Sequence, residues 1–302
     1  MSSITLSVKN VKKRIGRKEI IKGLDFNLYE GEVFGFLGPN GAGKTTTIRM
    51  LTGLIKPTSG TITICGYDLQ KDFTNAMMHL GCIVENPELY PFLSGYDNLI
   101  HFARMIPRLE DKRISEVISL VGMDERIHDK VKTYSLGMRQ RLGIAQALLG
   151  RPKVLILDEP TNGLDPAGIR EMRLFIRELA ITEGLSVLVS SHLLSEIQLL
   201  CDRVSIISKG SIIQTGTVKH LLSNQEKLLW NVEPAAEGME ILKQFTAAEE
   251  DGGVIVTDYI PGKAAEWNEA LVKAGVKVME MNRRLPALED LFLELTGGDK
   301  ID

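Results

Sequence analysis

The sequence predicts an α/β protein with a smaller α+β domain at its C-terminal end. Three observations carry this. A short apolar run, "VFGFL", leads through a glycine-rich loop into a helical stretch. Two more apolar runs, in "KVLILDEP" and "LSVLVSSH", have the unbroken character of strands buried on both faces, and they alternate with helical segments. Near His220 the pattern changes, and a new series of strands and helices runs towards the end of the chain.

Taken in order, "ITLSVKNV" and "EIIKGLDFNLYEGE" read as strands of a small antiparallel sheet, with Gly31 at a turn. "VFGFLGPNGAGKTTTIRMLTGL" reads as strand, loop and helix, and "GTITICGYDL" as another strand before a turn. From about Ser94 to Leu149 the pattern is mostly helical. "KVLILDEP" is a buried strand, "MRLFIRELAITEG" a helix ending at Gly184, and "LSVLVSSH" a second buried strand. "VSIISKGSIIQTG" has the form of a hairpin turning at Lys209-Gly210. Three strands ("LLWNVE", "GVIVTDYI", "VKVMEMN") and three helices follow. In the last helix Leu288, Leu291, Phe292 and Leu295 fall on one face. The expected organisation is a main domain over 1–220 with a helical subdomain at about 86–149, a linker at 221–227 and a small α+β domain over 228–302.

With 302 residues the chain is long enough for one large and one small domain. A net charge of −3 offers no basic surface for nucleic acid, so none is expected as a partner. Cys65, Cys82 and Cys201 are sparse and odd in number, which suits reduced, buried thiols in a cytosolic setting. The opening "MSSITLSVKN" does not read as a signal peptide, and no apolar run approaches the ~18 residues that span a bilayer. A membrane role would therefore run through a separate membrane partner.

"GPNGAGKT", Gly38-Pro39-Asn40-Gly41-Ala42-Gly43-Lys44-Thr45, fits the phosphate-binding pattern G-x-x-x-x-G-K-[ST], and Thr46 continues it. Phosphates approach the backbone closely, so glycine is needed at tight, positive-φ positions. The loop's N–H groups form an anion nest and the following helix adds the positive end of its dipole. Lys44 supplies a charge for the β- and γ-phosphates and Thr45 a hydroxyl for Mg²⁺. The core is thus expected to be a P-loop NTPase with a nucleotide as its ligand. Asp158 and Glu159 close an apolar strand in "VLILDEP". An acid there can hold the phosphate-bridging Mg²⁺, and a second can orient and deprotonate the attacking water. Taken alone, both acids would pass for a strand end entering a turn at Pro160.

"YSLGMRQRLGIAQALL" extends the picture. Ser135 would be an ordinary helix cap by itself. Yet the segment resembles the signature loop of ABC-transporter ATPases, usually LSGGQ, keeping its Ser (Ser135) and second Gly (Gly137). The order of motifs strengthens the resemblance: the P-loop, the signature-like loop, "VLILDEP", then "TNGLD" with Asp165 resembling the D-loop, and "VSSH" with His192 resembling the H-switch. Together they span roughly Ile4 to Gly216. The resemblance implies ATP and Mg²⁺ as ligands and ATP hydrolysis as the reaction. It implies a γ-phosphate contact for His192. It also implies a head-to-tail homodimer in which each ATP is sandwiched between one copy's P-loop and the other's Ser135 and Gly137. A transmembrane permease subunit would seat near Glu85 to about Arg108, with this chain peripheral on the cytoplasmic face of the membrane.

Two positions depart from the family. Ile15 stands where an adenine-stacking aromatic is usual, which implies weaker or less base-selective nucleotide binding. Glu85, in "LGCIVENPELY", stands where a glutamine is usual. It is either a solvated loop acid or a contact to Mg²⁺ and the hydrolytic water, and the second alternative fits a carboxylate facing a metal-phosphate site. This Glu, the "SLGM" signature and the C-terminal domain resemble the bacitracin-resistance and lantibiotic-immunity exporters, within a broader group that includes daunorubicin-resistance-type ATPases. The implied function is the ATPase subunit of an exporter of a peptide antibiotic or similar amphipathic drug. The alternative is an ATPase module of a sensory membrane complex without net transport. A ribosome-acting or DNA-acting role fits poorly, since the chain has one ATPase unit and no long coiled coil. The C-terminal domain would be either regulatory, or a prop for the dimer, or a packing extension of the core.

Overall fold

The structure is a computed structural model that describes residues 3–191, 193–223, 226–284 and 287–296. By its internal contacts the chain divides into two compact units, Met1–Thr217 with the last few residues of the chain, and Val218–Glu294.

The first unit runs β1 (Ile4–Ile15), β2 (Lys18–Tyr29), β3 (Val33–Leu37), α1 (Lys44–Leu51), β4 (Ser59–Ile64), β5 (Tyr67–Asp68), α2 (Phe73–Met78) and β6 (Leu80–Ile83). Then come α3 (Gly95–Ala103), α4 (Lys112–Leu120), α5 (Leu136–Leu148), β7 (Val154–Asp158), α6 (Pro166–Thr182), β8 (Ser186–Ser190), α7 (Leu194–Leu200), β9 (Arg203–Ser208) and β10 (Ser211–Thr217). One sheet is antiparallel, in the order β2-β1-β4-β5. The other has six strands in the order β10-β9-β3-β8-β7-β6, parallel except for the β9–β10 hairpin. Every residue of β3, β7 and β8 is buried, as expected for parallel strands covered on both faces. The two sheets share a core in which Phe26 stacks on Phe34 at 5.6 Å, close to Phe36, Ile48 and Met50. Helices α3, α4 and α5 pack against one another, so the mostly helical stretch after β6 is a layer of its own.

This topology positions the site. β3, β8, β7 and β6 are consecutive neighbours and all parallel, so their C-terminal ends lie side by side. Those ends lead to Gly38, Ser190, Asp158 and Glu85 respectively. Ligands of open α/β sheets bind at such strand ends. Ion pairs anchor the opposite, N-terminal ends of the strands. Arg203 donates to both oxygens of Glu32, and Arg177 grips Asp202 bidentately while Asp202 also accepts from the Val33 amide.

The second unit holds α8 (Val218–Ser223), β11 (Lys227–Glu233), α9 (Ala235–Leu242), β12 (Ala248–Asp251), β13 (Val254–Asp258), α10 (Ala264–Lys273) and β14 (Lys277–Arg284); α11 (Leu288–Thr296) closes the described chain. Its antiparallel sheet, ordered β12-β13-β11-β14, packs Leu228, Trp230 and Val232 against α9 and α10. Trp230 and Trp267 sit 6.5 Å apart, and the Trp230 indole donates to Thr257 at 2.9 Å.

Three features differ from expectation. Part of the stretch read as a linker is helical, because α8 reaches Ser223 and buries Val218 and Leu221 three residues apart. β12, "AEED", carries no alternating apolar signal because it is a largely exposed edge strand. β6, only four residues long, was hidden within the approach to Glu85. Cys201 is buried and Cys65 and Cys82 half-buried, all free, and burial pushes their thiol pKa values up.

Candidate functional site

The loop between β3 and α1 forms the floor of a cleft of about 520 Å³. Pro39, Asn40, Gly41, Gly43, Lys44, Thr45 and Thr46 line it, while Ala42 is buried and Gly38 backs onto β9. Two glycines are required for close approach. A Cβ on Gly38 would lie 2.4 Å from the Ile207 carbonyl, and Gly43, at φ 112°, would place one 2.4 Å from Ile21. Gly43 caps α1, so the first helical residue, Lys44, comes straight off the loop. The Lys44 ammonium folds back onto the Gly38 and Pro39 carbonyls. Burial pushes its pKa down, and the opposing pull of Glu159 and Asp158 is smaller. The helix N-terminus, its free amides and this half-desolvated ammonium make an anion site.

Across the cleft stand Asp158, Glu159 and Glu85. Asp158 is 8% exposed and accepts a hydrogen bond from the Ser190 hydroxyl. Burial raises its pKa, Glu159 and Glu85 add to the rise, and the Ser190 bond and Lys44 oppose it. Glu159 and Glu85 both hold the left-handed backbone conformation, φ 52° and 66°, which costs a non-glycine residue energy and concentrates at functional sites. The Glu159 amide donates to the Ser190 carbonyl and hydroxyl, which holds that geometry. Glu85 pairs with Arg49 of α1 at 2.8 Å.

Ser135, Gly137 and Asp165 lie elsewhere. They line a separate cleft of about 440 Å³ that shares no lining residue with the first. Ser135 caps α5 by accepting from the Met138 amide, and Asp165 caps α6 by accepting from the Gly168 amide. Gly137 needs no glycine for the fold. Its added Cβ would meet only Leu164 at 3.8 Å and Ser135 at 4.0 Å. His192 lies outside the described residues.

Residues 21–162 match the ABC transporter family. The "Uncharacterized ABC transporter ATP-binding protein YhcH" of Bacillus subtilis is 51% identical over 98% of this chain and 97% of its own. The chain belongs to the ABC transporter ATP-binding proteins. The bacitracin transport ATP-binding protein BcrA of Bacillus licheniformis is 39% identical over the whole of both chains. Among solved structures, cbiO1 from Clostridium perfringens, part of the ABC transporter complex cbiONQ, superposes with a TM-score of 0.68 at 28% identity, covering 73% of this chain and 91% of that one. This ABC protein is thus an ATPase with the P-loop fold and the ATP-binding subunit of a transporter.

In the ABC cleft the structure adds residues the sequence reading did not single out. Asn86 and Asn162 line it beside Glu85 and Glu159, and Ile20 forms its apolar side. Asn162 sits in "TNGLD" and Ser190 in "VSSH", so each was within a motif but overshadowed by its acid or histidine. Ile20 had no sequence signal. Ile15 does not line the cleft. It is 57% exposed at the end of β1, opposite Lys18. A third groove, of about 920 Å³, runs between α2–β6, the segment after α3 and the end of α5. Its lining includes Met77, Cys82 and Ile106, and its rim exposes Phe73, Met78 and Met105.

Proposed function

We propose that this ATPase powers export of a peptide antibiotic or a similar amphipathic drug through a separate membrane subunit. The observation that carries this is the match to a bacitracin transport ATP-binding protein along the whole chain, C-terminal unit included. Glu85 at the acidic wall is consistent with that exporter group.

ATP enters the first cleft with its phosphates on the amides of residues 38–46 and its base towards Ile20. Lys44 exchanges the loop carbonyls for the β- and γ-phosphates. Thr45, Asp158 and Glu85 offer only oxygen donors, the chemistry a hard divalent cation takes. Bound there, Mg²⁺ would place positive charge beside Asp158 and Glu85 and on the phosphates. Glu159 aligns the attacking water and takes its proton, and His192 contacts the γ-phosphate.

The second cleft is completed by a second copy. Ser135 and the Gly137 amide at the start of α5 form an anion site with no phosphate source in their own chain. Head-to-tail pairing sets them, with Asp165, against the ATP of the partner copy. Loss of the γ-phosphate removes that bridge and shifts the pair towards opening. The apolar groove beside β6 takes a cytoplasmic segment of the membrane subunit. β6 leads directly to Glu85, so motion there reaches the cleft. The chain accordingly works at the cytoplasmic face of the membrane, and no helix among the described residues is long and apolar enough to cross it. The domains follow the units: an ATP-binding domain with its helical layer, and a C-terminal accessory domain.

The test is drug susceptibility of a strain lacking this chain, complemented by the native sequence or by Glu159→Gln. Sensitisation to bacitracin or lantibiotics, rescued by the native chain alone, is the expected result. Unchanged susceptibility to these, an anthracycline and a detergent, with ATP turnover intact, overturns the export reading in favour of a sensory role.

A further inference from the structure

Arg49 lies four residues after Thr45, so the two share a face of α1 about one turn apart. The helix that begins with the phosphate and metal ligands therefore carries, further along the same face, the guanidinium that holds Glu85. Arg49 Nη2 lies 2.8 Å from Glu85 Oε1, and Arg49 is the only ion-pair partner of Glu85 among the described residues. Both side chains are largely exposed, 47% and 63%. Such a pair is weak, strong enough to set a side chain's direction and too weak to resist a divalent cation nearby. Glu85 sits on a left-handed backbone and lines the same cleft as Thr45 and Asp158. Its carboxylate thus has two competing claims: the guanidinium at the cleft's edge and the metal position beside Thr45 and Asp158.

We infer that Arg49 is a positioning residue that latches Glu85 away from the metal position, and that binding of Mg²⁺-nucleotide draws Glu85 off this latch. The inference rests on the ATP-site reading above. A loop whose acid changes partner with nucleotide state, and which follows directly on β6 and the apolar groove, gives the membrane subunit a signal that a neutral side chain would not carry in the same way.

The experiment measures Mn²⁺ affinity by electron paramagnetic resonance in the presence of ADP, on the full chain. Arg49→Gln is expected to bind Mn²⁺ about threefold more tightly, the size of a lost exposed ion pair. Arg49→Lys should return the affinity to the native value. In a Glu85→Gln background, Arg49→Gln should have no effect. Unchanged or weaker Mn²⁺ binding in Arg49→Gln overturns the latch. An equal gain with and without Glu85 also overturns it, because the gain would then come from simple loss of positive charge. Asp158→Asn separates the two levels. If it abolishes Mn²⁺ binding while Arg49→Gln does nothing, the latch alone fails; if it leaves binding intact, the metal-site reading fails and the latch with it. Arg49 is half-exposed, and a thermal melt of each variant checks that the fold persists.

Discussion

The Ser190 hydroxyl donates to Asp158 Oδ1 and accepts from the Glu159 amide at 3.1 Å. One fully buried side chain at the end of β8 thereby fixes both neighbouring acids at the end of β7. Ser190→Ala would leave the Asp158 carboxylate buried without this donor. The expected cost is about 1–2 kcal/mol of stability, read by denaturant unfolding. A comparable loss felt in the transition state would lower ATP turnover about tenfold. Native turnover in this variant would show that Ser190 only packs.

Gly137 separates folding from function. An alanine there fits in ordinary contact and favours the helix, so Gly137→Ala should melt at the native temperature or slightly above, by up to ~1 kcal/mol. Its methyl group would intrude over the start of α5, where the partner's phosphate is proposed to sit. In a Glu159→Gln background, which on the proposed mechanism holds ATP unhydrolysed, ATP-dependent dimerisation by size exclusion should weaken at least tenfold. Dimerisation at native strength would remove Gly137 from the interface.

Asp202 bears on acid stability. Burial alone would raise its pKa, but the bidentate Arg177 bond and the Val33 amide outweigh burial and hold it below the ordinary carboxylate value. A depressed folded pKa contributes stability that is fully present above the unfolded value, near 4, and is lost as pH falls through the folded value. Asp202→Asn should therefore destabilise the protein at pH 7 by about 1 kcal/mol, discounted for a carboxylate that is one-third exposed. The difference from the native chain should shrink as pH falls below about 4 and vanish once pH is below the folded value. A difference that persists in acid would assign the effect to packing.

The phosphate loop and the Asp158-Glu159 pair were legible because their chemistry is local. Residues 38–45 and 154–159 are short continuous segments whose spacing alone makes an anion nest and an acidic strand end. The buried strands were legible for a related reason: parallel strands covered on both faces become unbroken apolar runs, and every residue of β3, β7 and β8 is buried. β6, β12 and α8 were not, because each spans two periods of its pattern or fewer, and β12 is an exposed edge.

The sequence by itself determined the class of protein, the proposed phosphate loop and the acids available for chemistry, since these follow from residue type and spacing along one segment. Only the tertiary structure decided which of them meet. Four parallel strand ends set side by side bring Pro39, Asp158 and Glu85 to one cleft and Ser190 into hydrogen-bond contact with Asp158, although these residues are far apart along the chain. The same packing leaves Ser135, Gly137 and Asp165 in a cleft of their own and turns Arg49 towards Glu85. Those relationships depend on strand order and helix rotation. Such long-range pairings leave no trace in the spacing of neighbouring residues.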